Sequence, residues 1–202
     1  MKEKEKITNY SKDVFLKNGF YKITMDEIAS KLRISKKTIY KHFPSKGKLV
    51  DAAVGLFQKN VKRKINSIVD KEDNSILKIK ALTEFFAELS LTVDERMLYD
   101  LQLHRPDLWE KIDEFRGNII REVWSNIINT GKNEKCIVDK PNEIIIALVL
   151  SSIRTVINPT FLLNHGYSIK EAFEILFDLL INGILTEKGK NLYYKSITES
   201  KK

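Results

Sequence analysis

Lys36, Lys37, Tyr40 and Lys41 are related by spacings of three and four, so on a helix they share one face. Three ammonium groups and a phenol, with no carboxylate among them, suit a polyanion: lysines pair with phosphate oxygens, and all four can donate to base edges. Ile39 and Phe43 fall on the opposite face, where they can pack on Ile28 and Leu32. A helix with an apolar back and a cationic front seats in a major groove. A membrane-surface helix would turn its apolar side outward instead, so a duplex is the expected partner and a membrane is not.

The elements that must hold this face are helical. A first helix is expected over about Lys4 to Asn18, with Ile7, Tyr10 and Val14 on one side and Gly19 as its stop. Thr24-Met25-Asp26-Glu27 reads as a capping box starting a short second helix that turns Ile28 and Leu32 inward. Ser35 caps a third helix that ends before Pro44, after a tight turn at Leu32-Arg33-Ile34, and this is a helix-turn-helix pattern. From Ser45 a long fourth helix carries a stripe of Leu49, Ala53, Phe57, Val61, Ile65 and Ile68. A polar break at Asp70-Lys71-Glu72-Asp73-Asn74 precedes further helices at about 75–92, 94–105, 107–130, 142–164 and 168–187. Pro106 and Pro141 mark starts, Gly131 and Gly189 mark ends, and Asn158-Pro159 should bend or break the penultimate helix. No stretch reads as a strand, so the fold class is all-α.

Charge supports this division. Of 202 residues with a net charge of +8, residues 1–50 hold 13 Lys/Arg against 5 Asp/Glu, and residues 51–202 are balanced. A basic N-terminal module on a neutral body suggests nucleic acid. The composition, 43% apolar and 31% charged, is that of a soluble globular chain. The longest apolar run, Ile144–Leu150, is far short of the roughly 18 residues of a membrane span, and Met1–Lys6 is not expected to begin a signal sequence. Cys136 is the lone cysteine, so a reducing cytoplasm is expected. Enzyme chemistry has no foothold. His42, His104 and His165 make no pair at ligand spacing, so neither metal nor cofactor is expected. Gly47-Lys48-Leu49 lacks the rest of a phosphate loop, and no Gly-x-Ser-x-Gly elbow occurs.

Gly19-Phe20, Ile23-Thr24-Met25-Asp26-Glu27-Ile28-Ala29 and Ile34-Ser35-Lys36-Lys37-Thr38-Ile39-Tyr40-Lys41-His42-Phe43-Pro44-Ser45-Lys46 together resemble the DNA-binding domain of the TetR (AcrR-like) family of transcription regulators. The resemblance covers roughly residues 3–60. It implies a helix-turn-helix DNA-binding domain over 1–48 and a helical ligand-binding and dimerisation domain over 49–202. It also implies a homodimeric repressor that leaves its double-stranded operator when a small-molecule inducer binds. By position, Lys36, Lys37 and Lys41 match places that contact bases or nearby phosphates, while Thr24, Thr38, Tyr40, His42 and Lys46 match places that contact the DNA backbone. Tyr40 and His42 each keep a second reading as packing residues. Arg33 departs from the family's common turn glycine, and Gly47 from a frequent acidic residue.

The body resembles the family only weakly. Leu103-His104-Arg105-Pro106-Asp107-Leu108-Trp109 is similar to an elbow in some members. On the last expected helix, Glu171, Glu174, Asp178, Asn182 and Thr186 make one narrow polar stripe and most other positions are apolar. A helix so apolar needs a partner beyond its own core, and a twofold copy would supply one. Phe173, Phe177, Ile181 and Ile184 are the expected dimer contacts, against the alternative of a thick monomer core. A ligand pocket would be lined from Phe85, Phe86, Met97, Tyr99, Leu101, Phe115 and Trp124, each with a plain core reading beside it. Arg154 would face either a bound anion or a structural carboxylate. The reading is a cytoplasmic homodimeric repressor relieved by a small molecule. The rivals are a regulator that senses no metabolite and a helical protein that coats DNA without sequence preference.

Overall fold

Short polar side chains decide where the helices begin. Thr24 Oγ1 accepts the Glu27 amide at 3.1 Å and Glu27 Oε2 accepts the Thr24 amide at 2.6 Å, which starts α2. Ser35 Oγ accepts the Thr38 amide at 3.0 Å to start α3, and Asn74, Asp94, Asn158 and Ser168 cap later helices in the same manner. The computed structural model describes residues 2–71 and 74–199, so Glu72 and Asp73 of the expected polar break lie outside it. Among the described residues the helices are α1 (Glu3–Asn18), α2 (Met25–Leu32), α3 (Lys36–His42), α4 (Lys46–Lys71), α5 (Ser75–Ser90), α6 (Glu95–His104), α7 (Pro106–Asn133), α8 (Asn142–Val156), α9 (Pro159–His165), α10 (Ile169–Ile184) and α11 (Glu187–Glu199). The fold is all-α, with one isolated antiparallel bridge, Ile137 to Leu185.

By packing, the chain forms two compact units: Met1–Lys62 with Thr92–Lys111, and Arg63–Leu91 with Ile112–Lys202. These units do not follow the division expected at 48/49. Packing adds the first part of α4, all of α6 and the first residues of α7 to the helix-turn-helix. The first unit closes around Ile7, Phe15, Ile28, Ile39, Leu49 and Val50, all buried. The second closes around Ile79, Ile127, Ile128, Val149 and Leu162. No single helix among the described residues is long and apolar enough to cross a membrane.

One expected feature is present and one element was not expected. The span expected at 142–164 is broken as Asn158-Pro159 suggested: α8 and α9 are bent by 62°. Gly189, expected to end the last helix, lies inside α11, which the sequence did not reveal. Leu185 leaves α10 in an extended conformation, and Thr186 Oγ1 accepts the Gly189 amide at 3.1 Å. Gly189 is there because the Cys136 carbonyl presses on it: a Cβ at this position would overlap the Cys136 oxygen and stand 3.0 Å from its carbon. The same loop donates the Val138 amide to Ile184 and accepts the Thr186 amide at Cys136. Gly189→Ala therefore forces backbone apart and should destabilise the chain by about 1–3 kcal/mol. Gly55→Ala, with open space where its Cβ would stand, should stabilise by about 0.5–1 kcal/mol. Urea denaturation of the two variants beside the parent checks both signs.

Candidate functional site

The recognition face is built on the burial of its back. Ile39 is 0% exposed and Phe43, Ile28 and Leu32 are buried with it, which fixes how α3 is rotated. Lys36, Lys37, Tyr40 and Lys41 consequently all lie exposed on the other side, and Tyr40, 42% exposed, points its ring outward. Lys37, Tyr40 and Lys41 have no side-chain hydrogen bond or ion pair among the described residues. Lys36 donates to Asp26 Oδ2 at 2.7 Å, and that hydrogen bond pushes its pKa up.

The other four expected contacts are engaged within the chain. Thr24 forms the α2 cap, and Thr38 Oγ1 lies 2.9 Å from Ser35 Oγ. His42 Nε2 lies 2.9 Å from Glu3 Oε2. Lys46 donates to the Tyr21 carbonyl at 2.7 Å, and partial burial pushes its pKa down. Arg33, at φ 55° and ψ 44°, takes the left-handed conformation that the family usually gives to glycine, at a cost of about 1–2 kcal/mol. The turn closes because the Arg33 amide donates to Ser30 at 3.1 Å and the Ile34 amide to Ala29 at 3.0 Å.

Sequence reading missed how firmly α6 holds this module. Asp100 Oδ2 accepts both the Phe20 and the Tyr21 amides at 2.7 Å. Gly19 makes this possible. Its φ of +72° suits glycine, and a Cβ there would overlap Asp100 Oδ2. The Tyr21 and His104 rings stack with centroids 3.8 Å apart. Arg105, in the elbow noted in the sequence, donates to Asp51 Oδ1 at 2.6 Å, to the Gly47 carbonyl at 3.3 Å and to Asp107 at 2.8 Å. The elbow motif was the only signal for these contacts.

The body holds an apolar cavity of about 30 Å³. Its walls come from Ile65 of α4, Phe86 of α5, Ile120 and Trp124 of α7, Phe177 of α10 and their apolar neighbours. Of the expected ligand residues, Phe86 and Trp124 line it. Phe115 is half-buried elsewhere on α7. Met97 and Leu101 are core of the first unit, where Tyr99 is exposed. Arg154 grips Asp113, Nε to Oδ1 at 3.0 Å and Nη2 to Oδ2 at 2.7 Å, so its partner in this structure is a carboxylate of the fold.

The expected dimer contacts require correction. Phe173, Phe177, Ile181 and Ile184 are buried in their own unit, the two phenylalanines packed beside Phe86 at ring distances of 6.1 and 6.5 Å. The apolar side chains that α10 exposes are Ile175 and Leu179, the latter 66% exposed, and α8 exposes Ile144 and Leu148. Ile175 and Leu179 flank the polar stripe of Glu174 and Asp178, whereas the four expected residues lie on the opposite, core-facing side.

A short helix with a buried apolar back and a cationic front, set after a tight turn on a capped helix, makes this a helix-turn-helix DNA-binding protein. Residues 7–53 match the model of bacterial regulatory proteins of the tetR family, and the chain is a DNA-binding transcription regulator that carries a helix-turn-helix domain of that family. It is 27% identical to the HTH-type transcriptional regulator YvaF of Bacillus subtilis (strain 168), over 86% of this chain and 91% of that one. It is 27% identical to the nucleoid occlusion factor SlmA of Idiomarina loihiensis over 50% of this chain and 57% of the relative. In structure it is similar to a transcriptional regulator from Saccharomonospora viridis solved in complex with choline. The TM-score is 0.72 at 16% identity, covering 91% of this chain and 98% of that one.

The elbow predicts an acid limb of stability. The hydrogen bond from Arg105 holds the Asp107 carboxyl down at about 2, below its ordinary 3.8. A carboxylate whose folded pKa is depressed stabilises above its unfolded value and loses that contribution as pH falls through the folded one. Thermal melts between pH 5 and pH 2 should therefore fall less steeply below pH 4 for Asp107→Asn than for the parent.

Proposed function

We propose that the chain is a homodimeric, operator-specific repressor of the cytoplasm, and that a small molecule entering its body relieves DNA binding. The observation that carries this reading is the exposed front of α3, where Lys37, Tyr40 and Lys41 stand without partners among the described residues. Lys36 joins them by exchanging Asp26 for a phosphate. Replacing Lys37 by Ala should weaken operator binding and lower the slope of log affinity against log salt by about 1 if a phosphate contact is lost. If Lys37 reads a guanine, specificity at one position relaxes instead. Unchanged affinity and selectivity would remove this face from the DNA interface. Selection from random duplexes separates this reading from unspecific coating, and the spacing of selected half-sites reports the twofold.

Pairing of α8 and α10 with their copies supplies the dimer, through Ile144, Leu148, Ile175 and Leu179. Leu179→Glu together with Leu148→Glu should yield folded monomers by sedimentation. Operator affinity should fall with them, because the second half-site no longer benefits from linkage.

Relief is supported by the cavity and by the choline-bound neighbour. About 30 Å³ is far below the roughly 300 Å³ of a ligand site, so a ligand must part α5, α7 and α10 and press on Ile65. That residue belongs to α4, whose 26 residues run about 39 Å from Lys46, just beyond the recognition helix. A metabolite screen by thermal shift, with hits titrated with and without operator, should show reciprocal weakening of about 5–150-fold. Equal affinities would leave the second reading, a regulator governed by protein contact. The likeness to nucleoid occlusion factors is what favours that alternative.

A further inference from the structure

Three guanidinium groups gather where α7 faces α8, with Asp113 beside two of them. Arg154 binds Asp113 with two donors, and Arg116 lies in the field of both Asp113 and Arg154. Arg121 is held by a neutral group, Asn118 Oδ1, at 2.8 Å. Between them α7 carries Gly117, and a Cβ there would meet Arg121 Nη1 at 3.3 Å and Arg154 Nη2 at 3.5 Å. Two like charges from different helices thus converge on a position that bears no side chain. Such charges repel, and an oxyanion between them removes the repulsion while accepting forked N–H donors. Burial also pushes the pKa of Arg116 down, as the cost of holding a cation away from water requires.

The cationic cluster lies one turn of α7 from residues of the apolar cavity wall. Ile119 and Ile120, both in its wall, follow Arg116 by three and four residues, one turn further along the same face of α7. We infer that the body binds an amphiphile, its oxyanion head beside Gly117 among Arg116, Arg121 and Arg154, and its apolar chain between α5, α7 and α10. The inference rests on the ligand-relieved reading and names the ligand's class, a carboxylate or phosphate monoester on an alkyl chain. A quaternary ammonium ligand has the wrong sign for this rim.

The test uses the full chain with decanoate, decyl phosphate and decanol as probes, read by calorimetry and thermal melts. Decanoate or decyl phosphate should bind at least tenfold tighter than decanol, and the stronger of the two identifies the head group. Arg121→Gln and Arg116→Gln should each remove most of that preference. Gly117→Asp places a carboxylate at the convergence point, so it should melt above Gly117→Asn and abolish the decanoate response. Because Arg154→Gln leaves Asp113 without its partner, it is made together with Asp113→Asn, and this pair should also lose the preference. Failure of both anions to bind, equal binding of decanoate and decanol, or a Gly117→Asp that melts no higher than Gly117→Asn overturns the inference. Decanoate that binds through the arginines yet leaves operator affinity unchanged upholds the site and defeats the ligand-relieved reading. Decanol that releases operator as well as decanoate does the reverse.

Discussion

A seven-residue helix has no stability of its own, because nucleation consumes most of what so few hydrogen bonds return. Recognition helix α3 therefore exists only as far as Ile39 and Phe43 are buried against the helices before it. That burial fixes the rotation of α3 about its axis, and the rotation selects which side chains face outward. The surrounding contacts keep the dock in place. Asp100 gathers the amides after Gly19, Lys46 holds the Tyr21 carbonyl, and Arg105 joins α4 to the elbow. Each ties a loop or helix end of the DNA module to a neighbouring element, so the module is braced from α6 as well as from within.

Much of this was legible in the sequence because it is local. Thr24, Ser35 and Ser168 act on backbone groups a few residues away, and their spacing located helix starts, as Asn158-Pro159 located a break. The cationic front was equally readable, since its four members lie within two turns. What could not be read depends on residues distant in the chain. Gly189 looks like a helix stop until the Cys136 carbonyl is seen against it. Asp100 looks like any surface carboxylate until Phe20 and Tyr21 are folded beneath it. On α10 the sequence pattern puts Phe173, Phe177, Ile181 and Ile184, opposite the polar stripe, at the expected seam between copies. That opposite side is the packed core, and the exposed apolar residues Ile175 and Leu179 sit beside the stripe. A helix's own pattern reveals that it has more than one partner, but not which face meets which.

Arg33 and Arg154 show how an open question of sequence closes in three dimensions. Arg33 accepts the left-handed conformation, because the Schellman-like pair of hydrogen bonds from Arg33 and Ile34 requires it. Arg154 takes Asp113 as its partner, yet its guanidinium also reaches Gly117. A structural ion pair and a place in a charged cluster are thus compatible for one side chain.

The ion pair between Lys36 and Asp26 bears on how such a protein searches a chromosome. A lysine paired within its own chain displaces fewer counterions from a passing duplex than a free one, so on the proposed reading random sequence is gripped more weakly than the exposed charge on α3 suggests. Only a register that offers Lys36 a better acceptor than Asp26 repays opening the pair. On the proposed reading of α3, sliding over indifferent DNA is thereby kept fast, and the residence time is concentrated at the site where the exchange takes place.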